Sequence, residues 1–379
     1  MFTPVQYDSS IARSVLILTV GLATFGVLAA AVTASPEASA PKPFARCGTT
    51  LIGDRPDWSP DGHELAYDYD SVSPTRRTSV WRIRVDGTHP QLVAEDANTP
   101  AWSPDGQWIA ARRGGSPDLE VVIFPVSGGE PRVVTTGTSP RWWPTGDKLV
   151  VARPLTNKVA IVALDGSTVR EFAADGSSDF DISPDAASLV YPYSGFPGVQ
   201  GLWLAPTDGS RGHYVLDPRP PFRAYGHEPR WSPDGSVIAY TGVALDESYL
   251  PHDAGIGLIR PDGTSGGSVT FGDQHSPAWS PDGTHLAYVQ GSAIWIVERN
   301  GLAAHPVAPR CTFGSSRNDT LTPAVGARAL YGFNGNDVIR ARDRRREYIN
   351  CGPGRDRAYV DLLDSVNRNC EVVLRARRR

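Results

Sequence analysis

The sequence predicts an all-β fold: a six-bladed β-propeller of four-stranded antiparallel blades, followed by a small β-roll-like coil. Three observations carry this. A Trp-Ser-Pro-Asp-Gly string or a close variant recurs six times. Gly 38 and Pro 33 in 379 residues are too many turn formers for a helical bundle, and no collagen-like period accompanies them. Beyond residue 310 the chain becomes Arg-rich and a nine-residue period replaces the long one.

Residues 1–40 read as a leader. Ser14 to Ala34 form an uncharged apolar run after Arg13, ending in small residues. This predicts a secretory signal cut after Ala34 rather than Ala40, where Pro41 would follow. Uncleaved, the run is long enough to act as a membrane anchor. Either outcome predicts a secreted or extracytoplasmic protein, touching membrane only through this segment. Cys47 follows Arg46, which argues against a lipoprotein.

Residues 41–310 hold the repeat. It starts at Trp58, Trp102, Trp231 and Trp279, with weaker copies at Trp142 and Ile182. Seven residues after each start sits Leu or Ile: Leu65, Ile109, Leu149, Leu189, Ile238 and Leu286. Proline fixes φ and Asp-Gly permits positive φ, so the chain reverses there between two strands. A third strand such as Ile294–Val297 follows, then a second turn such as Asp86-Gly87, then a fourth strand. Four antiparallel strands per 40–49 residues make one propeller blade. One blade cannot bury both faces, so blades must stack and the ring must close. Closure would bring Cys47 beside Cys311, which predicts a disulfide across the seam worth about 4–5 kcal/mol.

The Trp-Ser-Pro-Asp-Gly…Ile-Ala-Tyr pattern resembles the Trp-Asp-like repeat of the TolB-type six-bladed propellers over roughly residues 50–310. The resemblance implies the fold and says little of function. Similar propellers include polysaccharide lyases that hold a metal with loop histidines, and peptidases that carry an added hydrolase domain.

Residues 311–379 carry 14 Arg against 8 Asp and Glu, although the whole chain has net charge −4. Nine-residue units begin at 314, 323, 332 and 341 and, after one extra residue, at 351, with apolar eighth positions at Leu321, Leu330, Ile339 and, imperfectly, Tyr348. They resemble a degenerate run of the glycine-rich RTX calcium-binding nonapeptide. That resemblance implies two repeats per coil and a weak calcium site at Asp319, Asp337 and Asp356, opposed on the other edge by Arg328 and Arg346. Cys351 and Cys370 are the natural second disulfide of this segment. By count alone, three pairings of the four cysteines are open, and no Cys-x-x-Cys spacing supports a metal.

Catalytic motifs are sparse. Gly263–Gly267 fits G-x-S-x-G, but Ser265 falls between two strands rather than before a helix. The eight histidines have no local metal spacing. The short Pro-Asp-Gly and Asp-Gly turns share one end of the ring. The longer connections gather at the other, where binding residues concentrate. That loop-rich face predicts ligand contacts from Arg76, Arg77, Arg112, Arg153, Tyr193, Arg223, Tyr225, His227, Tyr249, His252 and His275. Arg and Tyr are favoured interface anchors. The reading is a monomeric, non-catalytic scaffold for an exported protein or cell-surface glycan, with calcium as the only cofactor considered. The alternative is a metal-assisted polysaccharide-degrading enzyme using the loop histidines. Net acidity of the propeller part argues against nucleic acid.

Overall fold

The computed structural model describes residues 53–70, 78–115, 119–173, 179–196, 199–217, 224–245, 251–307, 311–323 and 327–376. The leader and Cys47 lie outside them. No helix among the described residues is long and apolar enough to cross a membrane.

Strands β1 (Asp54–Trp58) to β24 (His305–Pro306) form six four-stranded antiparallel sheets. Each sheet is a contiguous run of chain: β1–β4, β5–β8, β9–β12, β13–β16, β17–β20 and β21–β24. These are the six predicted blades. A buried apolar cluster sits between every adjacent pair. Leu149, Val151 and Val162 of blade three pack with Val121 and Ile123 of blade two. Leu65, Tyr67 and Ile83 of blade one pack with Ala287, Ile294 and Ile296 of blade six. Among the described residues the seam closes by this side-chain packing, with a backbone hydrogen bond from Gly53 N–H to the Ser292 carbonyl at 3.1 Å beside it.

The turn of the repeat is built around its serine. Ser59, Ser103, Ser183, Ser232 and Ser280 each donate Oγ to the Asp two residues on, at 2.5–2.6 Å. The same oxygen accepts the N–H that opens the next strand, as in Trp108 N to Ser103 Oγ at 2.9 Å. The glycines take φ of +67° to +75°. In blade four Ala186 holds that place at φ 61°, a conformation costly for a residue with a Cβ.

The C-terminal segment is a solenoid of two parallel sheets. One contains β25 (Cys311–Phe313), β27 (Ala329–Tyr331), β29 (Tyr348–Asn350) and β31 (Ser365–Val366). The other contains β26 (Thr320–Leu321), β28 (Val338–Ala341), β30 (Arg357–Val360) and β32 (Val372–Arg375). Cys311 pairs with Ala329, and Thr320 with Val338, so the first coil takes the expected eighteen residues. The next takes one more: Leu330 pairs with Ile349. Ile349, fully buried, fills the core position expected for Tyr348, which is half-buried one place earlier. Cys351 and Cys370 are disulfide-bonded with Cα atoms 5.2 Å apart. Cys311 is also disulfide-bonded, and no described cysteine is free.

The solenoid docks on the turn-rich end of blades one and six. Glu298, at the end of β23 (Ala293–Glu298), accepts both the backbone N–H and the hydroxyl of Ser316. The His305 ring stacks on Phe313 at 4.1 Å.

Candidate functional site

The first strand of each blade faces the ring axis. Ahead of the turn these strands read x-x-Pro-x-Trp in five blades, with Pro56, Pro100, Pro140, Pro229 and Pro277. Proline has no N–H for the ladder, so the pairing breaks there into a β-bulge. The register slips between Asp54 and Asp57, Asn98 and Ala101, His227 and Arg230, and His275 and Ala278. The residue before each proline is left-handed although none is glycine: Arg55 (φ 46°), Thr99 (52°), Ser139 (50°), Glu228 (51°) and Ser276 (53°). Such conformations cost about 1–3 kcal/mol each and persist where the surroundings over-determine them. Here they turn a ring of polar side chains toward the axis.

At the loop-rich mouth these groups interlock across blades. Glu228 Oε2 accepts Ser276 N–H at 2.8 Å and the Thr241 hydroxyl at 2.8 Å. The Ser276 hydroxyl lies 3.0 Å from Asp54 Oδ1 and 3.2 Å from Glu228 Oε1. His275 Nδ1 is 3.7 Å from Asp54 Oδ1, and His227 Nδ1 is 3.7 Å from Glu228 Oε2. Asp68 Oδ2 accepts Thr99 N–H at 3.2 Å and Arg55 Nη1 at 3.3 Å.

Burial pushes the Asp68 carboxyl up to about 6, against the pull of Arg55. Burial also opposes the Arg55 charge, but Asp68 and Asp54 outweigh it and hold the guanidinium above its ordinary value. Arg112 is lowered by burial and then by Arg55. Burial raises Glu228, yet the Ser276 and Thr241 hydrogen bonds outweigh it and keep the carboxyl below its usual range.

Five buried polar atoms in this region have no hydrogen-bond partner among the described residues: Asp68 Oδ1, Asn98 Oδ1, Arg112 Nε, Thr138 Oγ1 and Gln274 Oε1. Asn98 and Thr138 occupy the place in blades two and three that His227 and His275 occupy in blades five and six. Buried polar groups are normally paired, by protein or by ordered water.

Deeper along the axis lies a second charged layer. The residues immediately before the repeat tryptophan are Asp57, Ala101, Arg141, Asp181, Arg230 and Ala278. Burial raises Asp57 to about 6, opposed by Arg141 and Arg230 across the axis. Burial lowers Arg141 to about 10 and raises Asp181. Asp57, Arg141 and Asp181 line a cavity of about 230 Å³.

The structure brings together only part of the expected binding face. Arg112, His227 and His275 join the mouth. Arg153 does not: its guanidinium lies 3.6 Å from Glu171 and donates to Thr168. Tyr193 is half-buried in an aromatic cluster, with ring centroids 5.1 Å from Trp203 and 5.8 Å from Tyr214. Arg76, Arg77, Arg223 and Tyr249 lie outside the described residues. Tyr225 and His252 sit in β17 (Ala224–Trp231) and β19 (Pro251–Ile259), but their side chains lie outside the description too. Asp54, Arg55, Asp68 and Glu228 were not expected; the x-x-Pro-x-Trp alignment carries the signal for three of them.

In the solenoid, Asp319, Asp337 and Asp356 stack on one edge, joined by Glu371. Asp337 Oδ1 accepts Asp319 N–H at 2.9 Å, Asp356 Oδ1 accepts Asp337 N–H at 2.7 Å, and Glu371 Oε2 accepts Asp356 N–H at 2.7 Å. The carboxylates thus cap successive backbone N–H groups. They do not converge on a cation, and no group of three or more His, Cys, Asp or Glu among the described residues is placed to hold a metal. Arg328 and Arg346 are exposed.

No family model matches the chain. The uncharacterized peptidase YuxL of Bacillus subtilis is 25% identical over 213 residues, 52% of this chain and 31% of that protein. The chain thus spans less than a third of that curated relative. Among solved structures, the tricorn protease matches with a TM-score of 0.50 at 16% identity, covering 69% of this chain and 26% of that one. TolB from Acinetobacter baumannii matches at 0.49 and 17% identity, over 61% and 57%. Putative TolB from Agrobacterium tumefaciens matches at 0.48 and 22%, over 64% and 91%. The likeness is one of fold.

Proposed function

We propose that this chain is a non-catalytic, extracytoplasmic binding module whose site is the polar mouth of the axis at the loop-rich end. The unpartnered Asp68, Asn98, Arg112, Thr138 and Gln274 atoms carry the reading. Three of the five are pure acceptors, one is a guanidinium donor and one a hydroxyl. Those atoms have almost no surface of their own and are reached through water. The part-exposed Asp54, Arg55, His227 and His275 in front of them meet a hydroxyl-rich ligand directly, because each hydroxyl both donates and accepts. A cell-surface glycan therefore fits better than an exported protein segment. The Cys351–Cys370 bond supports an oxidising compartment, as does the apolar run at 14–34.

The test is a glycan-array screen of the full chain beside a Thr138→Val, Gln274→Leu variant. Saturable glycan binding that the variant loses supports the proposal; glycan binding unchanged in the variant moves the site elsewhere, and no glycan binding removes it. The metal-assisted lyase reading rests on His227 and His275, each beside a carboxylate at 3.7 Å. Stoichiometric metal in purified protein, lost in His227→Ala and His275→Ala, would establish that second reading.

A further inference from the structure

A cavity lies at the opposite end, between the turns of blades one and six and the first coil of the solenoid. Its volume is about 610 Å³. Junctions between packed units are a preferred place for small-molecule sites. The apolar part of the wall comes from both sides: Trp58, Val85 and Ile296 from the propeller, Phe313 and Leu321 from the solenoid. The His305 ring, stacked on Phe313, completes it.

The permanently charged groups of the wall are all carboxylates. Asp61, Asp86, Asp282 and Asp319 line the cavity beside three histidines, His63, His285 and His305, and no Arg or Lys does so among the described residues. That is unexpected beside a segment with 14 Arg. These carboxylates are fixed by their own turns. Asp61 Oδ1 accepts the Ser59 hydroxyl and His63 N–H, and Asp86 Oδ1 accepts Thr88 N–H and its hydroxyl. Asp61 Oδ2 and Asp86 Oδ2 accept no hydrogen bond from any described residue. Hydrogen bonding holds Asp61 below the usual carboxylate range, so it stays anionic at neutral pH.

We propose that this cavity binds a small organic cation: an aromatic or aliphatic body against Trp58, Phe313 and Leu321, with an ammonium or amidinium group facing Asp61 and Asp86. Aromatic walls with a carboxylate rim attract such cations by ring quadrupole and ion pairing together. The site is separate from the axial mouth and from whatever binds there.

The probes are phenethylammonium and benzamidinium, titrated calorimetrically into the full chain, with phenethyl alcohol as the neutral counterpart. Saturable one-to-one binding of the cations is expected, with the alcohol much weaker. Asp61→Asn with Asp86→Asn should weaken cation binding about tenfold or more. Asparagine keeps the Oδ1 acceptor that each turn needs. Asp105→Asn, the same turn in blade two, should leave binding unchanged and controls for turn damage. Equal binding of amine and alcohol, no saturable binding at millimolar probe, or equal loss in Asp105→Asn would each overturn the proposal.

Discussion

The indole N–H of Trp58 in blade one donates to the carbonyl of Ala278 in blade six across 3.1 Å. Trp142 makes the same bond to Ala101, and Trp279 to Arg230. Trp102 and Trp231 do not; their indole N–H groups are buried without a partner among the described residues. In those two blades the preceding blade supplies an aspartate instead. Asp57 accepts Trp102 N–H at 2.6 Å, and Asp181 accepts Trp231 N–H at 2.7 Å.

Trp58→Phe should therefore cost about 1 kcal/mol more than Trp102→Phe, because only the first breaks a hydrogen bond. Chemical denaturation of the two variants measures the difference; equal losses would mean the indole bond adds nothing to closure.

Ala186 is the non-glycine residue at a position where five blades use glycine. Ala186→Gly should stabilise by about 0.5–1 kcal/mol, the relief of a left-handed Cβ less the extra entropy lost by glycine. A raised melting temperature is the expected outcome.

Arg141→Met should destabilise by about 3 kcal/mol, since it leaves Asp57 and Asp181 facing the axis with one guanidinium fewer. The pH dependence has a definite sign. A carboxyl raised in the folded state binds its proton more tightly there than in the unfolded chain, so stability falls as pH rises through the folded value. The loss should be larger at pH 8 than at pH 5.

His305 works in the other direction. Burial pushes it down to about 4 from an ordinary value of 6.5. The unfolded chain gains the proton first, so stability is lost as pH falls from 6.5 toward 4. His305→Phe should keep the stacking on Phe313 and flatten that part of the melting-temperature profile.

Non-reducing peptide mapping should yield two linked pairs, Cys351 with Cys370 and Cys47 with Cys311. Recovery of a free Cys47 thiol would remove the covalent staple at the seam.

The blades were legible because their signal is local. Ser, Pro, Asp and Gly at fixed offsets make one turn, and six copies leave one architecture. The solenoid was legible to within one residue: the sequence shows one extra residue ahead of the unit at 351, and the pairing of Leu330 with Ile349 moves that insertion to before Ile349. The mouth was mostly not legible. Reasoning from loops favoured Arg153 and Tyr193, which the structure gives to Glu171 and to an aromatic cluster. Asp68 reaches the axis from a second strand by crossing to Arg55 and Thr99, a relationship no single stretch of sequence contains.

Because every blade is one uninterrupted stretch of chain, the break between blades six and one is a matter of covalent bookkeeping, not of architecture. Its apolar cluster and its indole bond are of the same kind as those at the other interfaces. A circular permutant opened in another inter-blade link, with residue 307 joined to 53 through a short spacer and the solenoid omitted, should form the same ring. The order in which the blades are strung would then be free to change while the axis and its polar mouth stay in place.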